Sequence, residues 1–238
     1  MNNVLLFPHE LQKENLYCLK DAKVLKHINE VLKKKTGERL SICLVNSGLG
    51  EGVITSITDE SITIEVLEKR PGISYDLNLF VAVSRPPTMK KILEHGTSLG
   101  VSTFHFYISK LTEKSFLDAK LFREKLYEEY LALGLSQSKV FFDLPKVILH
   151  SKLPLDVDFS NHQKYLLKMQ SGRSFSEVTP DLSKPISLVL GPERGLTESE
   201  NDSFISKGFT PIEITPSTLR VEIACFAALA QLQLFTSK

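Results

Sequence analysis

The chain has 238 residues, 42% of them hydrophobic and 24% charged, with a formal net charge of +1. That is ordinary for a soluble globular protein of one large or two small domains, and it excludes a global basic signature, so any nucleic acid must be met by a local patch. Three cysteines, Cys18, Cys43 and Cys225, with no CxxC spacing, read as reduced thiols of a cytosolic protein. The N-terminal stretch lacks the charged and apolar regions of a signal peptide, and no apolar run is long enough to span a bilayer, so a cytoplasmic location is expected.

In chain order, residues 21–35 suggest a helix with Lys23, Lys26, Lys33, Lys34 and Lys35 around an apolar face. Such a cluster suits phosphates, and it suits a solvated helix face equally well. Three strand-like runs follow, Arg39–Val45, Gly52–Ile57 and Ser61–Leu67, separated by turns at Asn46–Gly50 and Asp59-Glu60. Ile62, Ile64 and Val66 alternate with polar residues, the pattern of antiparallel hairpins in a small sheet or barrel. A boundary is expected near residue 70, where a charged stretch ends in Pro71-Gly72.

Beyond it the pattern changes to strands alternating with helices. Strands are expected at Leu77–Val83, Val101–Ile108, Lys146–His150, Tyr165–Met169, Ile186–Leu190 and Phe209–Ile214. Helices are expected at 88–99, at 118–133 with Gly134 as its stop, at 197–207 and at 219–235. This alternation predicts an α/β domain with a mostly parallel sheet, residues 71–238, after a small β-rich domain, residues 1–70.

Two loops near the C-terminus concentrate the candidate chemistry. Ile186–Leu190 is apolar throughout, then breaks at Gly191-Pro192, and Thr197–Glu200 reads as a capping box opening a helix. Loops at the carboxyl ends of strands are where α/β folds bind ligands, so this is the default site. The second loop, Thr215–Arg220, carries hydroxyls and then Arg220 and Glu222 at the start of an otherwise apolar helix. A charged pair there needs partners; it suits either chemistry or an ion pair anchoring the helix N-terminus.

Leu190-Gly-Pro-Glu-Arg-Gly-Leu-Thr-Glu-Ser-Glu200, followed by Leu219-Arg220-Val-Glu222-Ile-Ala224, resembles the RsmE family. These are S-adenosylmethionine-dependent methyltransferases of the SPOUT superfamily that modify N3 of a uridine in 16S rRNA. His27 with Val31-Leu32-Lys33, Ser84-Arg85 with Met89 and Ser98–Val101, and Gln137-Ser138 with Pro145 extend the likeness over most of the chain.

The resemblance implies a PUA-like, RNA-binding β-barrel followed by an α/β domain with a deep trefoil knot, working as a homodimer. It places S-adenosylmethionine against the segment near Leu166–Gln170, Leu166 first, and against Leu190, Gly191, Pro192, Glu193, Gly195, Ile214, Thr215, Pro216 and Leu219. Arg220 is implied to stabilise the deprotonated uracil and Glu222 to fix Arg220, with no metal. RNA contacts are implied at Lys26, His27, Lys33, Arg85, Lys139 and Arg194. The chain departs from the family strings where Arg194 replaces the second glycine of GPEGG, Ser217 an arginine, and Ile223 a threonine. The alternative suggested by these departures is a non-catalytic or retargeted RNA-binding or ribosome-assembly factor on the same fold.

Overall fold

The computed structural model describes residues 2–235, which divide into two units: 2–74 with 135–144, and 75–134 with 145–235. In the first unit, β1 (Val4–Leu6), β2 (Leu11–Lys13), β3 (Leu16–Leu19), β4 (Arg39–Leu44), β5 (Gly48–Ile57) and β6 (Ile62–Arg70) form one sheet in the order β1-β4-β5-β6-β3-β2. All pairings are antiparallel except β1 with β4. The alternation on β6 works as expected: Ile62, Ile64 and Val66 are buried with Leu19, Ile42 and Ile54, while Glu65 is exposed.

The lysine-rich helix expected over 21–35 is shorter. It comprises α1 (Ala22–Lys26), capped by the Asp21 carboxylate on the Lys23 and Val24 amides, and one π-helical turn, His27–Val31. Lys33 then takes a left-handed backbone, φ 51°, which ends helical winding. The expected turn at 46–50 shrinks as well. Gly48, Leu49 and Gly50 belong to β5, and a side chain on Gly50 would collide with the Glu68 carbonyl of β6. Those glycines permit close strand approach rather than a long turn.

The sequence showed no sign that residues 135–144 return to this unit. Leu135 is buried beside Cys43, Val45 and Leu49. Asn3 donates its backbone N–H to the Ser136 carbonyl at 2.7 Å and its amide to the Ser138 carbonyl at 2.6 Å. Burial pushes the Cys43 thiol up to about 12 and raises that of Cys225, so both stay protonated and inert.

The second unit holds β7 (Leu77–Ala82), α2 (Pro86–Ser98), β8 (Thr103–Tyr107), α3 (Lys120–Arg123), α4 (Tyr127–Gln137, whose last turn lies in the first unit), β9 (Lys146–His150), β10 (Gln163–Leu167), α5 (Phe175–Val178), β11 (Ile186–Leu190), α6 (Glu198–Ser206), β12 (Thr210–Ile212) and α7 (Val221–Gln233). The sheet order is β12-β10-β11-β7-β8-β9 and every pairing is parallel. β11 is buried at all five positions, as its unbroken apolar run predicts.

Residues 118–133 are not one helix. Lys125, at φ 53°, separates α3 from α4, and α4 runs past Gly134 to Gln137. Gly134 is no helix stop; a Cβ there would run into the Glu94 carbonyl of α2. Gly134→Ala sets a helix-propensity gain of about 1 kcal/mol against that collision. We expect the collision to win, with a net loss of about 2 kcal/mol in chemical denaturation, because backbone cannot rotate aside as a side chain can.

On β8, His105 stacks against Phe80 with ring centroids 4.0 Å apart, and its Nδ1 lies 3.0 Å from His150 Nε2. Burial first, then the neighbouring His150 and His162, lowers His105 from 6.5 to about 4. Between those values the unfolded chain takes up a proton that the folded protein refuses, so stability falls as pH drops through that window. Wild type is expected to lose about 1–2 kcal/mol between pH 7 and pH 5 relative to His105→Asn, measured by urea denaturation.

Candidate active site

The carboxyl ends of β10, β11 and β12 surround a cavity of about 320 Å³. Its first wall is the loop after β11. The Tyr107 hydroxyl, fully buried and held protonated by that burial, donates to the Leu190 carbonyl at 2.8 Å and fixes where the strand ends. Gly191 follows, where a Cβ would press on the Leu196 amide at 3.0 Å. Gly195, at φ 73°, donates its N–H to the Pro192 carbonyl at 2.8 Å. The sharp turn is therefore enforced by the two glycines that bound it.

The capping box expected at Thr197–Glu200 forms, and it does more than cap α6. Glu200 is 2% exposed. Its Oε2 accepts from the Thr197 N–H and hydroxyl, both at 2.8 Å, while Oε1 accepts the Lys110 N–H at 2.7 Å. One buried carboxylate thus ties the segment after β8 to the end of the glycine loop.

The second wall is the segment after β12. The Glu213 N–H donates to the Arg173 carbonyl at 2.7 Å, and the Gly172 N–H donates to Glu213 Oε2 at 3.3 Å. The Thr218 hydroxyl lies 3.7 Å from the Met169 sulfur. These contacts hold the loop after β10 against the loop after β12, and both line the cavity.

Among the candidate donor-binding residues, Leu190, Gly191, Pro192, Glu193, Gly195, Ile214, Thr215 and Leu219 line the cavity. Leu166 does not; it is fully buried in the core with Phe80 and Val189, and the next three residues, Leu167, Lys168 and Met169, form the wall instead. Pro216 is exposed outside the lining. Sequence reasoning missed Asn201 and Glu213, which line the cavity from α6 and from the residue after β12. Asn201 had only a helical position beyond the capping box to mark it.

Arg220 caps the N-terminus of α7 between two lining residues, Leu219 and Val221. It is exposed, and among the described residues its guanidinium has no protein partner. Glu222 is 6% exposed and pairs with Lys91 Nζ at 3.5 Å. The expected role of Glu222 in fixing Arg220 is corrected by that pairing. Arg220 is the N-cap, with an extended backbone outside the helix, and Lys91 on α2 is the cation that Glu222 meets. The pair joins α7 to α2.

The candidate RNA contacts are all exposed. Lys26, His27 and Lys33 lie on or just after α1 and its π-helical turn, and Lys139 lies on the returning segment. Arg85 caps α2, and Arg194 projects from the glycine loop. Among the described residues there is no cluster of three His, Cys, Asp or Glu that could hold a metal ion, and no helix is long and apolar enough to cross a membrane.

Residues 72–233 match the family model for an RNA methyltransferase domain. The ribosomal RNA small subunit methyltransferase E of Treponema pallidum is 28% identical over 242 residues, covering 96% of this chain and 89% of that protein. Ribosomal RNA small subunit methyltransferase E 1 of Borreliella burgdorferi is 29% identical over 154 residues, 64% of each protein. The crystal structure of the Neisseria gonorrhoeae ribosomal RNA small subunit methyltransferase E, bound to S-adenosyl methionine, superposes with a TM-score of 0.82 at 21% identity. That match covers 98% of this chain and 97% of the other, so the two share a fold from end to end.

Proposed function

This chain belongs to the RNA methyltransferase domain family, and we propose that it transfers the methyl group of S-adenosylmethionine to N3 of a uridine in 16S rRNA. The observation that carries this reading is the cavity between the LGPERG loop and the loop leading into Leu219–Ala224. It joins the two motifs on which the RsmE resemblance rests. The fold it sits in is that of an enzyme crystallised with S-adenosyl methionine.

The residues present fit that donor. Much of the lining is apolar, from Leu167, Leu190, Pro192, Ile212 and Leu219, which suits an adenosyl group. Backbone amides of the glycine loop supply hydrogen-bonding groups. When bound, S-adenosylmethionine supplies a methyl group already activated on a sulfonium. Uracil N3–H is a weak acid, so the chain's part is to orient the base and stabilise its imide anion as the proton leaves. Arg220 fits that role: an unpaired guanidinium at the cavity edge, on a helix anchored by Lys91–Glu222.

Lys26, His27, Lys33, Lys139, Arg85 and Arg194 are the proposed phosphate contacts. Lys26, His27, Lys33 and Lys139 belong to the first unit and Arg85 and Arg194 to the second, so each unit offers its own local cations despite the near-neutral net charge. The reading also includes a PUA-like first domain, a trefoil-knotted second domain, a homodimer and a cytoplasmic location. Ile223, 46% exposed on the apolar helix α7, supports a protein–protein contact. The test is mass spectrometry of 16S rRNA from a strain lacking the gene. Loss of N3-methyluridine, restored by the purified protein with S-adenosylmethionine, is the expected result; retention of the mark overturns the assignment.

A further inference from the structure

The cavity wall carries an excess of negative charge that a neutral or anionic ligand would not call for. Three carboxylates, Glu193, Glu198 and Glu213, line it against one ammonium, Lys168. Lys168 is committed to Glu198, with Nζ 3.1 Å from Oε2. Arg173, Arg194 and Arg220 stand on the same loops, but they are exposed and none lines the cavity, so water screens them. Glu193 and Glu198 are exposed as well. Glu213 differs: it is half-buried, and its carboxylate is fixed by the Gly172 N–H.

A second feature marks the same wall as built for a ligand. Asn201 is only 6% exposed as a residue and lines the cavity, and its carboxamide, with no hydrogen-bond partner among the described residues, reaches the open space. Here it is available to a polar group of whatever fills the space.

Resting on the donor-binding reading above, we infer that Glu213 makes this cavity selective for the charged methyl donor over its neutral product. S-adenosylmethionine bears a sulfonium, an ammonium and a carboxylate, for a net charge of +1. Transfer breaks the S–CH3 bond, its electron pair stays on sulfur, and the methyl carbon bonds to uracil N3, whose proton has passed to solvent water. S-adenosylhomocysteine is left as a thioether with no net charge. A fixed carboxylate in the wall favours the first molecule and is indifferent to the second, so the charge that draws the donor in does not hold the product back.

The test is calorimetric titration of the full chain and of Glu213→Gln with S-adenosylmethionine, S-adenosylhomocysteine and sinefungin, a shape analogue whose amine restores the positive charge. Glutamine keeps an oxygen to accept the Gly172 N–H, so the loop contact survives while the charge is removed. The substitution is expected to weaken S-adenosylmethionine and sinefungin by roughly threefold to tenfold at low salt and to leave S-adenosylhomocysteine within twofold. Added salt is expected to shrink the difference in wild type. Equal weakening of all three ligands, or no change in any, overturns the proposal and leaves Glu213 a loop fastener. If the unaltered protein binds none of the three, the donor-binding reading itself fails and the inference falls with it.

Discussion

Arg220→Ala is expected to slow methyl transfer by about 10²–10³-fold, the range observed when a preorganised donor to a developing anion is removed. Binding of S-adenosylmethionine is expected to stay within about threefold, because the Arg220 side chain is not part of the cavity lining. Thermal stability is expected to be unchanged, since an exposed guanidinium with no partner among the described residues leaves nothing unpaired when it goes. Single-turnover methylation of unmodified small-subunit rRNA separates these effects. Arg220→Lys keeps the charge but loses the planar fork and is expected to recover only part of the rate. A variant that transfers methyl at the wild-type rate removes Arg220 from the mechanism.

Glu200→Ala is expected to have the largest effect on stability. The carboxylate is 2% exposed and accepts from the Lys110 N–H, the Thr197 N–H and the Thr197 hydroxyl. Hydrogen bonds to a charged group each contribute about 1.5–3 kcal/mol, and buried donors left without an acceptor add their desolvation penalty. A loss of about 3 kcal/mol is expected in chemical denaturation. Weaker donor binding is expected alongside, because the glycine loop loses its tie to the segment after β8. Glu200→Gln is a stringent control. Both oxygens face backbone N–H donors, so the glutamine amide must turn its own NH2 toward one of them, and the rescue is expected to be incomplete. Full rescue would show that only one of the two ties matters.

These two residues differ in how visible they were. Glu200 was legible because a capping box is a local pattern, three residues apart, set by helix geometry. Its third partner, the Lys110 amide, was not, since nothing in the spacing of residues 110 and 200 announces contact. Glu222 shows the same limit. Its charge in an apolar helix called for a partner, but that partner is not Arg220, the nearest cation in sequence; it is Lys91, which comes from another helix. Gly134 was read as a stop because glycine commonly ends helices; here it lets two helices approach, a role that only the partner helix reveals.

By itself the sequence determined the features that depend on local period and backbone chemistry. These are the buried strand Ile186–Leu190 with its glycine turn, the polar–apolar alternation of β6, and the change from hairpins to alternating strands and helices. Tertiary structure alone decided the return of residues 135–144 to the first sheet, the pairing of Glu222 with Lys91, and the arrival of Asn201 and Glu213 at one cavity. The physical reason is range. Dihedral preferences and side-chain periodicity act over a few residues, whereas the cavity is made where three parallel strands end, and chain length between them leaves no trace in either pattern.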